Sequence, residues 1–392
     1  MFTLNRDAVS LPADRLLDAL ETRIEQKRTA LEARDEEYGK QRIHIHSYME
    51  NIGWPDLFGY DMNRFLSDPA LLIEMELRQR IFWLDNSPDD GLPGLWIGAT
   101  AGMYYDITLF GQQVSHTRIG VPQFQPHPIS RKPDLSLIEP VDFRTSGAMP
   151  ALIGQYEAMC RLAETRYDGR ISVGFPEFFR GPLDVCIQLR GYPQFVEDTF
   201  DRPAFVHEFL ERIVSERARW NRRRRRFLGI PEPDEPTTRM DDDWVNVPFL
   251  SPALFREFAI PAYRQLVAKE GKVTGFHTCG VMVPVVRDLL AVFPDIRTLD
   301  VSGWNDFEAL DEMLDPEIAF WVQFKNTFVL TGAEADHRDV LERLARLGAR
   351  RGVTVCAQAI VKLHETYDED LARLNRFIDL ARETFARHDR GR

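Results

Sequence analysis

The sequence lacks the features of disulfide-rich proteins and of membrane-spanning proteins. Only four cysteines occur in 392 residues, and their spacing does not suggest a disulfide scaffold. A transmembrane helix needs roughly 18 or more consecutive apolar residues, and no such run is present. The first residues carry no basic patch followed by an apolar run and a small-residue cleavage site. These absences predict a soluble protein of the cytoplasm with no membrane partner.

An excess of positive charge is also missing. The formal net charge is −12 at pH 7, and the sequence pI is about 5.3. An acidic chain repels phosphate backbones, which argues against nucleic acid as a partner. The one basic run, Arg222 to Arg226, falls at the end of a predicted helix, where cations suit the helix dipole. We therefore expect a small-molecule substrate and either a monomer or a homodimer.

Short apolar segments alternate with helical periodicity along most of the chain, which is typical of repeated βα units around a parallel sheet. The predicted strands are 43–49, 94–100, 170–175, the segment DDWVNV near 243, 272–278, 296–302, 318–324 and 353–359. Eight such units favour a (β/α)8 barrel of the TIM type. No GxGxxG turn follows the early strands, which weakens a dinucleotide-binding fold. We predict an N-terminal helical extension over 1–40 and the barrel over 41–392, with irregular loops over 101–150.

Three residues at predicted strand ends have the chemistry of a metal site. His277 and Cys279 lie two apart at the end of one strand, so their side chains share a face, and Cys356 ends another strand two βα units later. In a closed barrel these ends meet at one mouth, where an imidazole and two thiolates would suit Zn²⁺. Three ligands leave a tetrahedral position open, as in catalytic zinc sites. The alternative is two buried structural cysteines and a hydrogen-bonded histidine.

Other polar residues follow the predicted strands and are candidates for catalysis or substrate binding. Asp300 ends a strand and is expected to be a fourth, exchangeable zinc ligand, an acceptor for His277, or a loop residue. Asp243, in the run Asp241 to Asp243, could bind a substrate cation or act as a base, or it could belong to a solvated acidic turn. The remaining candidates are Glu177 for catalysis and Arg180, Gln323, Lys325, Gln358, His44 and His46 for substrate binding.

From about Gly174 onward, the chain resembles the uroporphyrinogen decarboxylase superfamily. The segments that carry the resemblance are GFPEFFRGPLDVCIQLRG, SPALFREFAIPAY, GFHTCG and the closing strand and helix. Within that superfamily, His277, Cys279 and Cys356 match the zinc-site pattern of the corrinoid- and thiol-dependent methyltransferases. The resemblance implies an (α/β)8 barrel, bound zinc and methyl transfer. It also places Asp300 where cobalamin-independent methionine synthase, a more distant relative, carries an acidic zinc ligand.

Two motifs of the true decarboxylases are missing, an RQAGRY-like segment and an FSDIL-like segment, so porphyrinogen decarboxylation is not expected. The sequence therefore predicts a zinc-dependent methyltransferase. It would move a methyl group between a corrinoid carried by a partner protein, or a small methylated donor, and a thiol or related acceptor. Two alternatives stay open, a metal-independent decarboxylase of an organic acid and a non-catalytic metal-binding barrel.

Overall fold

A computed structural model describes residues 3–38, 43–246 and 248–389 of the chain. The strands of this described part are β1 (Ile43–Met49), β2 (Trp96–Gly98), β3 (Val114–His116), β4 (Pro122–Phe124), β5 (Ser172–Gly174), β6 (Thr237–Asp241), β7 (Lys272–Thr278), β8 (Thr298–Ser302), β9 (Ala319–Lys325) and β10 (Val353–Ile360). None of the described helices is long and apolar enough to cross a lipid bilayer.

Helices occupy most of the remaining described chain. The α-helices are α1 (Asp7–Ser10), α2 (Leu16–Tyr38), α3 (Gly53–Phe58), α4 (Met62–Ser67), α5 (Pro69–Asn86), α6 (Tyr105–Thr108), α7 (Met149–Tyr167), α8 (Pro182–Arg190), α9 (Tyr192–Asp201), α10 (Pro203–Phe227), α11 (Pro252–Leu254), α12 (Ile260–Glu270), α13 (Val286–Val292), α14 (Phe307–Met313), α15 (Asn326–Thr331), α16 (Glu334–Gly348) and α17 (Tyr367–Asp389). Short 3-10 turns cover Ala13–Arg15, Pro128–Ser130 and Leu135–Leu137, and a π-helical turn, Phe255–Ala259, joins α11 to α12.

The centre of the fold is a parallel sheet of six strands in the order β1-β10-β9-β8-β7-β6. β2 and β5 form a separate parallel pair, and β3 and β4 form an antiparallel pair. An isolated parallel bridge between Arg180 and Asp241 joins the segment after β5 to the end of β6. No ladder joins β2 to β1 among the described residues. The α/β fold with a parallel sheet is as predicted, but closure of this sheet into a barrel is not seen.

The alternation of side chains along the strands gives the sheet two different faces. In β9, Phe320, Val322 and Phe324 are buried, while the residues between them are half-buried. Helices α16 and α17 pack with the strands β10 and β1 on the apolar side, so the buried residues form the core between sheet and helices. The opposite face carries Trp321 and Gln323, and it is left for polar side chains because successive residues of a strand point to opposite sides.

Every predicted strand except one matches an observed strand. The exception is DDWVNV, because β6 (Thr237–Asp241) ends before it and residues 243–246 form turns. The sequence of β6, TTRMD, is mostly exposed or half-buried and has no apolar alternation to reveal it. Val245 is fully buried, and Asn246 donates hydrogen bonds to the Asp243 carbonyl at 2.6 Å and to the Thr278 hydroxyl at 2.7 Å. The prediction of a strand here is wrong, because burial at the end of the sheet gives this turn the apolar residues that are typical of a buried strand.

Local signals explain where the long helices begin. Asp68 accepts hydrogen bonds from the backbone N–H groups of Ala70 and Leu71, and Pro69 occupies the first turn of α5, as its sequence predicts. Ser251 caps α11 in the same way. The region 101–150, predicted as loops, is largely irregular but contains α6, two 3-10 turns and the β3–β4 pair.

The N-terminal helix α2 packs against α5. Its buried residues include Leu16, Leu17 and Leu20, and Arg23 forms an ion pair with Asp85 at 2.7 Å. Apolar burial and ion pairing therefore both tie the predicted extension to the remainder of the fold.

Candidate metal centre

Side chains from all six strands, most of them polar, share one face of the six-stranded sheet, which we call the polar face. Strand register pairs Asp241 with His277, His277 with Asp300, Gln323 with Cys356, and Cys356 with His46. Because paired residues of adjacent strands point to the same side, the pleat extends this face two residues along each strand. The residues of the polar face are Asp241, His277, Asp300, Trp321, Gln323, Lys325, Cys356, Gln358, His46 and Tyr48.

Three potential metal ligands converge at the end of β7. One ligand atom from each of Asp243, His277 and Cys279 lies within 4.8 Å of the other two. The Nε2 atom of His277 lies 3.0 Å from Oδ1 of Asp243 and 3.4 Å from Sγ of Cys279. On the other side of the ring, Nδ1 lies 3.1 Å from Oδ2 of Asp300. The imidazole nitrogen therefore lies in one compact group with a sulfur donor and oxygen donors.

The electrostatics at this point favour a positive charge. Burial lowers the pKa of His277, but its contacts with Asp243 and Asp300 outweigh burial and raise the pKa well above the usual histidine value. Burial raises the pKa of Asp243, because it disfavours the charged carboxylate, but His277, Cys279 and the charge of Arg180 lower that pKa overall. The lowered pKa favours the ionised form of Asp243, which attracts a cation, either a proton on the imidazole or a metal ion bound to it.

Several buried polar atoms in this region have no hydrogen-bond partner among the described residues. They are Oδ1 of Asp300, Oε1 of Gln323 and Oε1 of Gln358. Buried polar atoms in proteins are nearly always paired, so a group of exceptions needs a ligand, an ion or water to satisfy it. The donor set also fits zinc, which takes imidazole nitrogen, thiolate sulfur and carboxylate oxygen in tetrahedral sites.

Neighbouring side chains hold this group in place. The amide of Gln323 donates a hydrogen bond of 2.6 Å to Oδ2 of Asp300, the same oxygen that faces His277. The ammonium group of Lys325 lies 3.9 Å from the sulfur of Cys279. Asp300 therefore contacts the ring nitrogen that faces away from Cys279, the position of a residue that orients a histidine ligand.

Cys356 lies on the polar face but outside the compact group. Two strands, β8 and β9, separate its strand from β7, and its sulfur is not among the atoms that lie within 4.8 Å of one another. The side chain is fully buried. Burial raises the pKa of its thiol, and the charge of Asp300 adds to this. The zinc-ligand role predicted for Cys356 remains a prediction.

Arg180, predicted to bind substrate, is already committed to the protein. Its Nε lies 3.0 Å from Asp106 and its Nη1 lies 2.6 Å from Asp184. Its Nη2 donates to the carbonyl of Met103 at 3.3 Å. The guanidinium is buried and ties the chain after β2 to the start of α8, so all three of its nitrogens already have partners.

Three other predicted residues do not join the compact group. Glu177 is 64 % exposed and pairs with Arg224 of α10 at 3.2 Å. His44 is exposed at the start of β1. Cys279 lies at the opposite edge of the parallel sheet, where the strands end. His46 lies on the polar face with its ring 5.2 Å from that of Trp321, next to Cys356 in the sheet. Gln323, Lys325 and Gln358 all lie on the polar face.

No protein family model and no curated protein matches this sequence. Solved structures with a related architecture are known. The fold is similar to that of a methyltransferase from Methanosarcina mazei. The TM-score is 0.57 and the sequence identity is 14 %, and the alignment covers 86 % of this chain and 94 % of the Methanosarcina mazei methyltransferase. At this identity, the likeness to that methyltransferase concerns the fold.

Two aromatic residues near the site were not singled out from the sequence. Tyr48 follows His46 by two residues and so shares its face of β1, and Trp321 precedes Gln323 by two residues on β9. Alternation along these strands was the signal that could have identified both. Trp321 interacts with Cys356, and Tyr48 interacts with Gln358, so both aromatic residues border the candidate metal centre.

Proposed function

We propose that this chain is a zinc-dependent methyltransferase on a (β/α)8 barrel and that it transfers a methyl group to a thiol. The observation that supports this most is the compact group of Asp243, His277 and Cys279 at the end of β7, on a face where buried oxygens of Asp300, Gln323 and Gln358 lack partners. The shared fold with a methyltransferase adds support. Zinc bound at this group would lower the pKa of a thiol substrate and keep it as a thiolate at neutral pH.

The residues of the chain have distinct roles in this proposal. His277 and Cys279 bind zinc, and the third ligand is either Asp243, by its proximity, or Cys356, by the resemblance described above. Asp300 orients His277 through Nδ1 and is itself held by Gln323. Lys325, 3.9 Å from Cys279, places a positive charge beside the sulfur of Cys279, where it would attract an incoming thiolate.

The methyl donor belongs to one of two classes, a corrinoid carried by a partner protein or a small methylated compound bound by this chain directly. The proposal places the protein in the cytoplasm, where free thiols are kept reduced. The residues that would bind a small donor lie across from the compact group, around Tyr48 of β1.

Metal analysis of protein purified without added metal tests the proposal. We expect about one zinc ion per chain in the unaltered protein, as catalytic sites of this kind contain, and loss of that zinc in Cys279→Ser. Cys160→Ser is the matched control, because Cys160 lies on α7 and outside the group. Full zinc occupancy in a Cys279→Ser/Cys356→Ser double variant would show that the site has been assigned to the wrong residues.

Two further variants identify the third ligand. If Asp243 binds zinc, Asp243→Asn weakens zinc binding more than Cys356→Ser, and the reverse ranking assigns the position to Cys356. X-ray absorption at the zinc edge then tests the reaction class. Adding a thiol substrate should increase the number of sulfur neighbours of zinc by about one, because a thiolate occupies the open position. A spectrum that no thiol changes argues against thiol activation and favours an oxygen-containing substrate.

A further inference from the structure

Two cavities meet at the seam between β1 and β2, where no ladder joins the described strands. One has a volume of about 240 Å³ and is lined by His46 and Tyr48 of β1. The other has a volume of about 310 Å³ and is lined by Glu50, just after β1, and Trp96 of β2. Trp54 lines both cavities. The seam is therefore an aromatic cleft, and its combined size suits a small ligand.

The indole of Trp96 forms an open platform in this cleft. Trp96 is 56 % exposed, which is unusual for a tryptophan on a strand. A Cβ at Gly174 would come within 2.1 Å of the indole, and a Cβ at Gly98 within 3.1 Å. These two glycines of paired strands therefore let the ring lie flat against the backbone of β2 and β5. One face of the indole is packed on glycine, and the remainder is available to a ligand.

The charge of the cleft is negative. The only arginine or lysine that lines either cavity in the described chain, Arg80, is paired with Glu76 at 3.2 Å and with the carbonyl of Gly94 at 3.1 Å. The carboxylate of Glu50 has no ion pair among the described residues and accepts only the backbone N–H of Asn51. An anionic ligand would find no unpaired cation here, whereas a cationic ligand would find a carboxylate and tryptophan rings.

The cleft adjoins the polar face of the six-stranded sheet. The ring of His46 contacts that of Trp321 at 5.2 Å between centroids. The side chain of Tyr48 interacts with Gln358, and the charge of Asp300 reaches its phenol. One side of Tyr48 thus belongs to the cleft and the other to the polar face. A ligand held in the cleft would present one end to the polar face, which also carries His277.

We propose that the aromatic cleft binds a small methylated ammonium compound, with Trp96 and Glu50 as its recognition residues. Tryptophan faces attract alkylated ammonium groups, and a nearby carboxylate adds to the attraction. On the proposed function, on which this step rests, the compound is the methyl donor. A carbon–nitrogen bond breaks as a carbon–sulfur bond to the thiolate forms, and the amine leaves with the electron pair. The positive charge of the donor and the negative charge of the thiolate cancel, so no proton transfer is needed.

Calorimetric titration with a matched pair of ligands tests the proposal. One ligand is choline, and the other is its uncharged analogue in which a tert-butyl group replaces the trimethylammonium group. The two have nearly the same shape, so a difference in affinity reports the positive charge. We expect choline to bind at least about tenfold more tightly, and we expect Trp96→Leu and Glu50→Gln each to weaken it by a similar factor. Phe200→Leu, which removes an exposed ring of α9, should leave the affinity unchanged.

The outcomes separate this inference from the proposed function. Equal affinity for both ligands, or no binding of choline by protein that is folded and contains zinc, overturns the inference and leaves thiol activation intact. Tighter binding of a neutral aryl methyl ether than of choline also overturns it. Selective choline binding by a protein that neither retains zinc nor responds to thiol supports the cleft and contradicts methyl transfer. Circular dichroism of Trp96→Leu and Glu50→Gln checks that each variant is folded. Weaker choline binding by both folded variants identifies the cleft as the binding site.

Discussion

Trp96 and Gly174 are in such close contact that any side chain at position 174 would require the indole to move. A Cβ there would lie 2.1 to 2.3 Å from three atoms of the indole. The contact joins two strands whose backbones also pair, since Gly98 and Gly174 are register partners. The position of the tryptophan is therefore fixed by the absence of a side chain on the neighbouring strand.

Gly174→Ala should displace the indole of Trp96 and lower the free energy of unfolding by about 1–3 kcal/mol, the usual cost of overpacking. It should also weaken ligand binding in the cleft, because the platform moves. Denaturant unfolding and tryptophan fluorescence measure both effects. Gly154→Ala is the control, since it lies within α7 and its added Cβ meets nothing within 4 Å. That change should stabilise the protein by up to about 1 kcal/mol. Unchanged fluorescence in Gly174→Ala would contradict the described packing.

Asp300→Ala should weaken zinc binding by roughly 10- to 100-fold, because the carboxylate orients His277 through Nδ1. Competition with a zinc chelator of known affinity gives the factor. Gln323→Ala removes the hydrogen bond to Asp300 and should weaken zinc in the same direction by a smaller amount. If Asp300→Ala instead leaves zinc affinity unchanged and tightens thiol binding, Asp300 is an exchangeable ligand and not an orienting residue.

Removal of zinc should leave the fold intact. The proposed ligands lie at strand ends, whereas the core consists of apolar residues between sheet and helices, so the core does not depend on the metal. We expect the far-ultraviolet circular dichroism to be unchanged after chelation, and the unfolding temperature to fall because bound ligands stabilise the native state. Loss of helical signal on chelation would instead identify the metal as structural.

Arg351→Met should destabilise the chain by about 3 kcal/mol or more, because it leaves buried acceptors without their donor. The Arg351 side chain is fully buried, forms an ion pair with Asp311 at 2.6 Å, and donates to the carbonyls of Ile318 and Leu314 at 2.8 and 3.1 Å. Arg350→Met is the neighbouring control, since Arg350 is 62 % exposed and also contacts Asp311. It should cost less than about 1 kcal/mol. Thermal unfolding of the two variants compares them, and equal losses would contradict the structural role of Arg351.

The strand rhythm of the chain could be predicted because buried strands and amphipathic helices leave strong periodic signals. β7, β9 and β10 fall within a residue or two of their predicted bounds. β6 could not be found in the same way, because its half-exposed residues carry no apolar alternation. The pairing of His277 and Cys279 followed from their spacing on one strand. The proximity of Asp243 depended on a turn held by Asn246, and the role of Trp96 depended on glycines far away in sequence. Neither leaves a local pattern.

The separation of the β2–β5 pair from the six-stranded sheet has a consequence for how such a protein can diversify. The proposed metal ligands His277 and Cys279 belong to or follow β7 of the six-stranded sheet, whereas Trp96 and its glycine partner belong to the β2–β5 pair. Mutations that reshape the pair can alter which compound is recognised without altering the geometry of the ligands. Proteins with this fold could therefore change their substrate while the chemistry at the metal ligands stays the same.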